Sequence, residues 1–329
     1  MRRAHRPGSA FLSIQTAVVL YAGLAITLLV ASLDEGRPLS SWVTNPEPVD
    51  ISAAAAALRG AALTRLPERF VAMYFGIPAL LILPATLLMG AAFPLLQRAA
   101  QTDLARVGTR VGMLLMANIA GAALGSFVTG WWCLDWLGTS GTLKLLVVLS
   151  VVFPVLQLVR TSGSSGPRRF APVAAVLAAI AALLAWMPDA ATLWGGLHGA
   201  RPAMMLFGED GSGTFVLKSD RSVFRRRVTV FVNGSTHSWI PYGGIHTVLG
   251  ALPAFLHPHP RDVAVIGLGS GDTLFAVAGR PEVERLTCVE IVRPQLATLE
   301  RLHREQPYPG LGAILGDPRI EWVYGDGRL

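Results

Sequence analysis

The sequence contains few charged residues for its length. Only 15% of its 329 residues are charged, while 52% are hydrophobic. A soluble globular protein has about 25% charged residues. A large part of this chain is therefore expected to lie in a lipid bilayer, and its length allows about two domains.

Cysteine is also scarce. Cys133 and Cys288 show no pairing pattern and no Cys-x-x-Cys motif, which argues against a disulfide framework and a zinc site, and no metal is expected. The formal net charge is +7, but the arginines cluster in short loops and not along one face with aromatic residues between them. This pattern is typical of membrane topology and excludes nucleic acid as an expected partner.

Long apolar runs fill the first part of the sequence, residues 1–187. A helix needs about 20 apolar residues to cross about 30 Å of hydrocarbon. Candidate spans cover residues 11–31, 70–96, 111–131 and 141–159, and a fifth run, 171–186, is short for a full crossing. The sequence therefore predicts a multi-pass helical membrane domain.

The third run has small residues at every fourth position, which are Ala117, Gly121, Gly125 and Thr129. Small side chains at this spacing allow the backbones of two membrane helices to approach closely. We therefore expect this face to pack against another helix.

The distribution of arginine predicts the orientation in the membrane. Arg2, Arg3 and Arg6 precede the first run and place the amino terminus in the cytoplasm, and the loop expected at residues 133–140 contains no lysine or arginine. Five full crossings would put the second half outside the cell, whereas a nucleotide-using domain belongs in the cytoplasm. Either the fifth run does not cross, or helices precede Met1. We expect a cell (inner) membrane location with the second half on the cytoplasmic side.

The pattern changes in residues 188–329. Residues 205–240 are rich in short alternating β-runs, and Asn233-Gly234 is a strong hairpin signal. From residue 245 onwards, helical and β-patterns alternate, with strands expected at 263–267, 286–291 and 320–324. Such alternation is typical of an α/β Rossmann-like domain of the S-adenosylmethionine-methyltransferase type, built on a parallel sheet.

A glycine turn follows the first strand of this domain, in the sequence "VIGLGSGDT". Glycines at Gly267, Gly269 and Gly271 allow tight dihedrals and close backbone approach to a ligand. Glu290 ends the next strand, where an acid can accept both ribose hydroxyls, and Asp326 follows the third strand. This order favours an S-adenosylmethionine-type ligand over NAD. Alternatively, none of these residues binds a ligand. The glycines would then only allow close packing, Glu290 would be a solvated strand end and Asp326 an ordinary turn residue.

The stretches "VFVNGSTHSW", "VAVIGLGSGDT" and "IEWVYGDGR", with "LPATLLMGAAFPLL" in the apolar half, resemble the membrane-fused form of the spermidine synthase-like (polyamine aminopropyltransferase) family. The resemblance implies transfer of an aminopropyl group from decarboxylated S-adenosylmethionine to a polyamine. It also implies a nucleotide site made of Gly267, Gly269, Ser270, Gly271, Glu290 (ribose) and Asp326 (adenine).

The sequence departs from this family at several positions. Ser270 stands where an aspartate usually contacts the aminopropyl ammonium, and His237 replaces a glutamine. The family's Tyr-His-Glu stretch is replaced by Ile245-His246-Thr247. The loss of the aspartate at Ser270 and of the glutamate at Thr247 is expected to remove anionic groups that attract a polyamine. The family's catalytic aspartate would lie beyond Leu329, so we expect a fragment that lacks the second half of its catalytic domain and is inactive alone. His237 and His246 are the candidates for a base within the sequence.

Three functions remain open from the sequence. The first is a membrane-anchored aminopropyltransferase, and the second is a methyltransferase that uses S-adenosylmethionine on an unknown acceptor. The third is a catalytically inactive membrane protein or transporter with a degenerate nucleotide-binding domain. The expected partners are an adenosyl nucleotide, a polyamine and the lipid bilayer, and a homo-oligomer is left open.

Overall fold

The computed structural model describes residues 7–33, 39–40, 43, 68–100, 106–160, 170–219 and 227–328. The chain divides into two compact units. One comprises Met1–Cys133 and Thr139–Gly199, and the other comprises Leu134–Gly138 and Ala200–Leu329. We call them the helical unit and the α/β unit. Arg2, Arg3 and Arg6, the basic linker 161–169 and Leu329 lie outside the described residues.

Apolar helices build the first part of the chain. They are α1 (Pro7–Ser32), α2 (Ile77–Ala100), α3 (Val107–Val128), α4 (Leu134–Leu149), α5 (Val152–Arg160), α6 (Phe170–Trp186) and α7 (Ala190–His198). A helical turn, Glu68–Val71, and a π-helical stretch, Ala72–Gly76, lead into α2, and a second π-helical stretch, Thr129–Cys133, joins α3 to α4. Helix α1 packs against α2, α5 and α6.

Among the residues that the structure describes, three helical stretches are long and apolar enough to cross a membrane, namely Pro7–Ser32, Ala72–Ala100 and Val107–Arg160. Helices α6 and α7 are bent by 63° and make a fourth if the pair counts as one broken span. Leu87 and Ile119 are 65% and 67% exposed, and such surface is unfavourable in water by about 25 cal/mol per Å². Length, composition and exposure thus suit a bilayer, and the crossing itself stays a prediction.

Two expectations about these helices differ from the structure. The predicted loop 133–140 is helical except at Gly138, whose φ of 63° and ψ of −174° interrupt α4, as a residue without Cβ allows. A Cβ placed on Gly121 or Gly125 would meet no described atom within 4 Å. No helix in the described part of the chain therefore packs closely on the small-residue face of α3.

The α/β unit begins with an antiparallel sheet in the order β1-β2-β3-β4. Its strands are β1 (Met205–Asp210), β2 (Gly213–Ser219), β3 (Val228–Val232) and β4 (Ser235–Ile240). The hairpin predicted at Asn233-Gly234 joins β3 to β4, and both residues have positive φ, 49° and 79°. Two positive φ values in sequence are the requirement of a type I′ turn, which explains the Asn-Gly pair.

The predicted parallel sheet is confirmed, with strand order β5-β6-β7. Its strands are β5 (Asp262–Ile266), β6 (Arg285–Glu290) and β7 (Ile320–Tyr324), and its helices are α8 (Ile245–Leu256), α9 (Asp272–Ala278), α10 (Pro294–Glu305) and α11 (Pro309–Leu315). Helix α11 was not expected from the sequence, because its seven residues begin with Pro-Gly. One buried core joins both sheets and includes Phe215, Leu274, Leu286 and Leu311.

Candidate functional site

The turn between β5 and α9 requires glycine at three positions. Gly267, Gly269 and Gly271 have φ values of 91°, 57° and 91°, in the region where a Cβ causes strain. The Gly271 amide donates to the Leu268 carbonyl at 2.8 Å, which closes the turn. The turn lies at the carboxyl end of β5, the edge of a parallel sheet where ligands bind in open α/β folds.

The surroundings of the three glycines differ. A Cβ on Gly267 would meet no described atom within 4 Å, and one on Gly269 would meet only Ser238 Oγ, at 3.8 Å. A Cβ on Gly271 would overlap Ile314 and would lie 2.7 Å from the Tyr242 hydroxyl. The first half of the turn is therefore open. Gly271, in contrast, is needed for close packing, as the structural alternative for the glycines predicts.

A cavity of about 400 Å³ lies beside the open half of the turn. This volume is within the range of small-molecule sites, about 300–1,000 Å³. The predicted site residues that line it are Gly267, Gly269, Ser270, Glu290, His237 and His246. Gly271 and Asp326 are not among the described residues that line it. The structure thus brings six of the eight predicted residues to one cavity.

Glu290 ends β6 and is only 7% exposed. Its Oε2 accepts the Leu268 amide and its Oε1 accepts the Val292 amide, both at 2.7 Å. A carboxylate has about four lone-pair sites, so these bonds leave about half of its capacity. Glu290 therefore holds the glycine turn and can still accept hydrogen bonds from a ligand.

Asp326 follows β7 and is bound to its own loop. Its Oδ2 lies 2.5 Å from Nη2 of Arg328, and its Oδ1 accepts the Arg328 amide at 3.0 Å. The Arg328 side chain and then its backbone amide hold the pKa of Asp326 below its usual value, because both stabilise the charged carboxylate. In this arrangement Asp326 contacts Arg328 and not the cavity.

The two histidines lie near each other at one wall of the cavity, with ring centroids 6.3 Å apart. His246 Nε2 is 2.9 Å from the His237 carbonyl oxygen. Since a carbonyl oxygen only accepts, Nε2 donates in this contact, and in the neutral ring Nδ1 is then the acceptor nitrogen. This tautomer leaves His246 with a nitrogen that can take a proton.

Asp272 lines the same cavity and was not predicted as a site residue. It is the first residue of α9 and is 4% exposed. Its Oδ1 accepts the Thr247 hydroxyl at 2.6 Å, and its Oδ2 accepts the Gly243 amide at 3.3 Å. One feature of the sequence could have indicated Asp272, because an acid stands there at the start of the apolar residues of a buried helix.

Two further side chains hold the glycine turn from outside. The Tyr242 hydroxyl donates to the Ser270 carbonyl at 2.9 Å, and Nε2 of the fully buried Gln295 donates to the Gly269 carbonyl at 2.6 Å. Burial, followed by the nearby Asp272 charge, raises the pKa of Tyr242. Neither residue carries a sequence signal, because each acts through contacts distant in sequence.

The Cys288 thiol is buried near Glu290. Burial, with the charge of Glu290, raises the pKa of the Cys288 thiol to about 12, so the thiolate that would react is not formed near neutral pH. Within the described ranges, no group of three or more His, Cys, Asp or Glu residues is placed to hold a metal ion.

The chain is similar in sequence to polyamine aminopropyltransferases. The enzyme of that name from Bacillus mycoides (strain KBAB4) is 33% identical over 84 residues, which are 26% of this chain and 29% of the relative. The one from Desulforudis audaxviator (strain MP104C) is 35% identical over 82 residues, 25% of this chain and 28% of the relative. No protein-family model matches the chain.

Among solved structures, spermidine synthase from Thermotoga maritima aligns at 25% identity with a TM-score of 0.31, covering 37% of this chain and 40% of that one. A spermidine synthase in complex with the transition-state analogue AdoDATO gives the same values. A TM-score of this size does not establish a shared fold. The chain spans less than a third of the length of the curated relatives named above. It is thus similar, over about a quarter of its own length, to polyamine aminopropyltransferases.

Proposed function

We propose that the α/β unit binds an adenosyl nucleotide derived from S-adenosylmethionine and serves aminopropyl transfer from its decarboxylated form to a polyamine. The observation that carries the proposal is the 400 Å³ cavity formed by an open glycine turn and a buried carboxylate at the end of the next strand. The sequence similarity to polyamine aminopropyltransferases over 84 residues supports it.

The nucleoside would be held by the turn and by Glu290. Gly267 and Gly269 have no side chains between the backbone and the cavity, so a ligand can approach the main chain. The acceptor sites of Glu290 that its backbone contacts leave open suit the two hydroxyls of a ribose. Asp326 would reach the adenine only after its carboxylate leaves Arg328.

The reaction needs alignment and removal of one proton. The amine nitrogen attacks the carbon next to the sulfonium, a C–N bond forms, and the C–S bond breaks to release methylthioadenosine. Positioning the two reactants supplies most of the acceleration in such a displacement, and a base takes the proton from the amine. We assign that base to His246, through Nδ1, or to His237.

The proposal is tested with the purified chain in detergent. Calorimetry should show binding of methylthioadenosine, and incubation with decarboxylated S-adenosylmethionine and putrescine should release methylthioadenosine if the chain suffices for catalysis. Stronger binding of S-adenosylmethionine than of its decarboxylated form would favour methyl transfer. Absence of binding for every adenosyl ligand would refute the proposal and favour an inactive membrane protein.

We further propose that the helical unit anchors the protein in the cell membrane, with the nucleotide site on the cytoplasmic side. Three apolar stretches of sufficient length support this location. The chain, expressed in a bacterium with a carboxyl-terminal green fluorescent protein, should resist carbonate extraction from membranes and should fluoresce. Extraction into the soluble fraction would contradict anchoring, and an alkaline phosphatase fusion that is active instead would place the domain outside.

A further inference from the structure

The segment Leu134–Gly138 belongs to the α/β unit, although the chain on both sides of it belongs to the helical unit. Asp135 lies in this segment, in the first turn of α4, and its side chain is 24% exposed. Its Oδ1 accepts the Gly211 amide at 2.6 Å, in the turn between β1 and β2. The same oxygen lies 3.5 Å from Nη2 of Arg293, the N-cap residue of α10. One carboxylate thus contacts two parts of the α/β unit that are distant from it in sequence.

Arg293 has two further partners in the β1–β2 turn. Its Nε lies 3.3 Å from Oδ2 of Asp210, and its amide donates to the Ser212 hydroxyl oxygen at 3.0 Å. The Ser212 hydroxyl in turn donates to Asp210, whose Oδ1 also accepts the Ser212 amide at 2.7 Å. Both the side chain and the backbone of Arg293 therefore hold the start of α10 to this turn. We call Asp135, Asp210, Ser212 and Arg293 the Arg293 cluster.

The Arg293 cluster borders the wall of the cavity that carries Glu290. Val292, the residue before Arg293, lines the cavity and donates its amide to Oε1 of Glu290 at 2.7 Å. The β1–β2 turn packs on the same residue, because a Cβ placed on Gly213 would lie 3.2 Å from Cγ2 of Val292. The contacts of the cluster therefore restrict where the Glu290 carboxylate lies in the cavity.

The effect of the Arg293 cluster is expected to be local. The Arg293 side chain is 53% exposed, and ion pairs at such exposure contribute little to the free energy of unfolding. The cluster does restrict the short segment between the end of β6 and the start of α10. The geometry of a binding site depends on supporting contacts of this kind.

We propose that Asp135 is a positioning residue of the nucleotide site. It acts through Arg293 and the β1–β2 turn, and it holds Glu290 in place for the two hydroxyls of a ribose. The inference rests on the proposed function for the identity of the ligand. Asp135 precedes Arg293 by 158 positions, so the site receives support from a segment far outside the sheet that carries it.

Two nucleosides that differ in the ribose test the proposal. Methylthioadenosine has both ribose hydroxyls, and its 2′,3′-dideoxy derivative has neither. The full chain in detergent should bind methylthioadenosine about tenfold or more tightly than the derivative, the ratio expected for hydrogen bonds to a charged acceptor. Asp135→Ala should reduce this ratio to about threefold, because a displaced Glu290 loses part of these bonds. A general loss of folded protein would weaken both compounds alike and leave the ratio unchanged.

Further variants assign the effect to single contacts. Asp135→Asn keeps an oxygen for the Gly211 amide and removes the charge that attracts Arg293, so its ratio should lie between those of the unaltered chain and Asp135→Ala. Added to Arg293→Gln, Asp135→Asn should change the ratio little further, because the shared interaction is already lost. Asp262→Ala is the matched control. That aspartate also pairs with an arginine, Arg285, but at the amino end of β5, and its variant should keep the full ratio.

The outcomes separate this inference from the proposed function. If methylthioadenosine binds and Asp135→Ala keeps the ratio of the unaltered chain, the positioning role is wrong and the nucleotide site stands. If the unaltered chain binds no adenosyl compound, the proposed function is refuted, and this inference with it. Should Asp135→Ala not fold, Asp135→Asn and Arg293→Gln decide, since an unchanged ratio in both also overturns the role of Asp135.

Discussion

The two halves of the glycine turn have the same residue type but different neighbours. Gly267 faces open space, while Gly271 lies against Tyr242 and Ile314. Both have a φ of 91°, so backbone conformation alone cannot separate a ligand-facing glycine from a packing glycine. The difference lies in what would meet a Cβ, and that depends on residues 29 positions before and 43 positions after Gly271.

The two carboxylates at neighbouring strand ends repeat this contrast. Glu290 is buried and bonded to the turn, whereas Asp326 is bonded to Arg328, whose side chain is 89% exposed. Parallel pairing of β6 and β7 brings both residues to the same edge of the sheet. Shared placement at an edge therefore does not give a shared environment, and each acid has to be tested separately.

The largest effect is expected from comparing alanine at the two ends of the turn. Gly271→Ala should destabilise the α/β unit by about 3 kcal/mol, from steric overlap with Ile314 and Tyr242 together with backbone strain. Gly267→Ala should cost about 1 kcal/mol, since only the strain applies. Thermal unfolding of both variants in detergent, followed by near-ultraviolet circular dichroism, measures the difference.

For ligand affinity we expect the opposite order, with the larger loss in Gly267→Ala. If Gly267→Ala folds normally and binds methylthioadenosine about tenfold more weakly, the open half of the turn contacts the nucleoside. Equal stability losses in the two alanine variants would contradict the distinction between the halves.

The next effect concerns the two acids. Glu290→Gln replaces one of two acceptors by an NH₂ group that faces a backbone amide, so we expect about a 10- to 100-fold loss of methylthioadenosine affinity. Asp326→Asn is the matched comparison and should lower methylthioadenosine affinity less, because its carboxylate is bonded only to Arg328 among the described residues. A larger affinity loss in Asp326→Asn than in Glu290→Gln would reverse the roles we assign.

The sequence was sufficient to predict features that depend on local pattern. The Asn233-Gly234 hairpin and the alternating strands and helices after residue 245 are encoded in neighbouring residues. The order of the parallel strands then follows from chain connectivity. Because β5 and β6 are neighbours and parallel, the glycine turn after β5 and Glu290 at the end of β6 lie at the same edge of the sheet.

Contacts between residues distant in sequence were not predictable in the same way. Tyr242 and Gln295 hold the carbonyls of the turn from positions 28 and 26 residues away. Asp272 becomes a buried cavity residue only because Thr247 and Gly243 on another segment supply its donors. A single sequence contains no signal for such pairings, and the loop expected at 133–140 was wrong because only one glycine interrupts the helix there.

The smallest effect tests how the packed half of the turn is held. Tyr242→Phe removes the hydroxyl that donates to the Ser270 carbonyl at 2.9 Å, which should cost about 1 kcal/mol at neutral pH. Burial raises the pKa of Tyr242 above its usual value of 10.0. Its contribution to stability is thus complete below pH 10 and is lost as the pH rises towards the folded-state pKa.

Unfolding midpoints measured from pH 8 to 11 should therefore fall less steeply in Tyr242→Phe than in the unaltered chain. The buried Cys288 thiol, with its raised pKa, contributes equally to both and cancels in the difference. Parallel curves for the two proteins would mean that Tyr242 is as accessible to water in the folded state as in the unfolded state. In that case the packed half of the turn would be open like the first half, and the contrast between Gly267 and Gly271 would lose its physical basis.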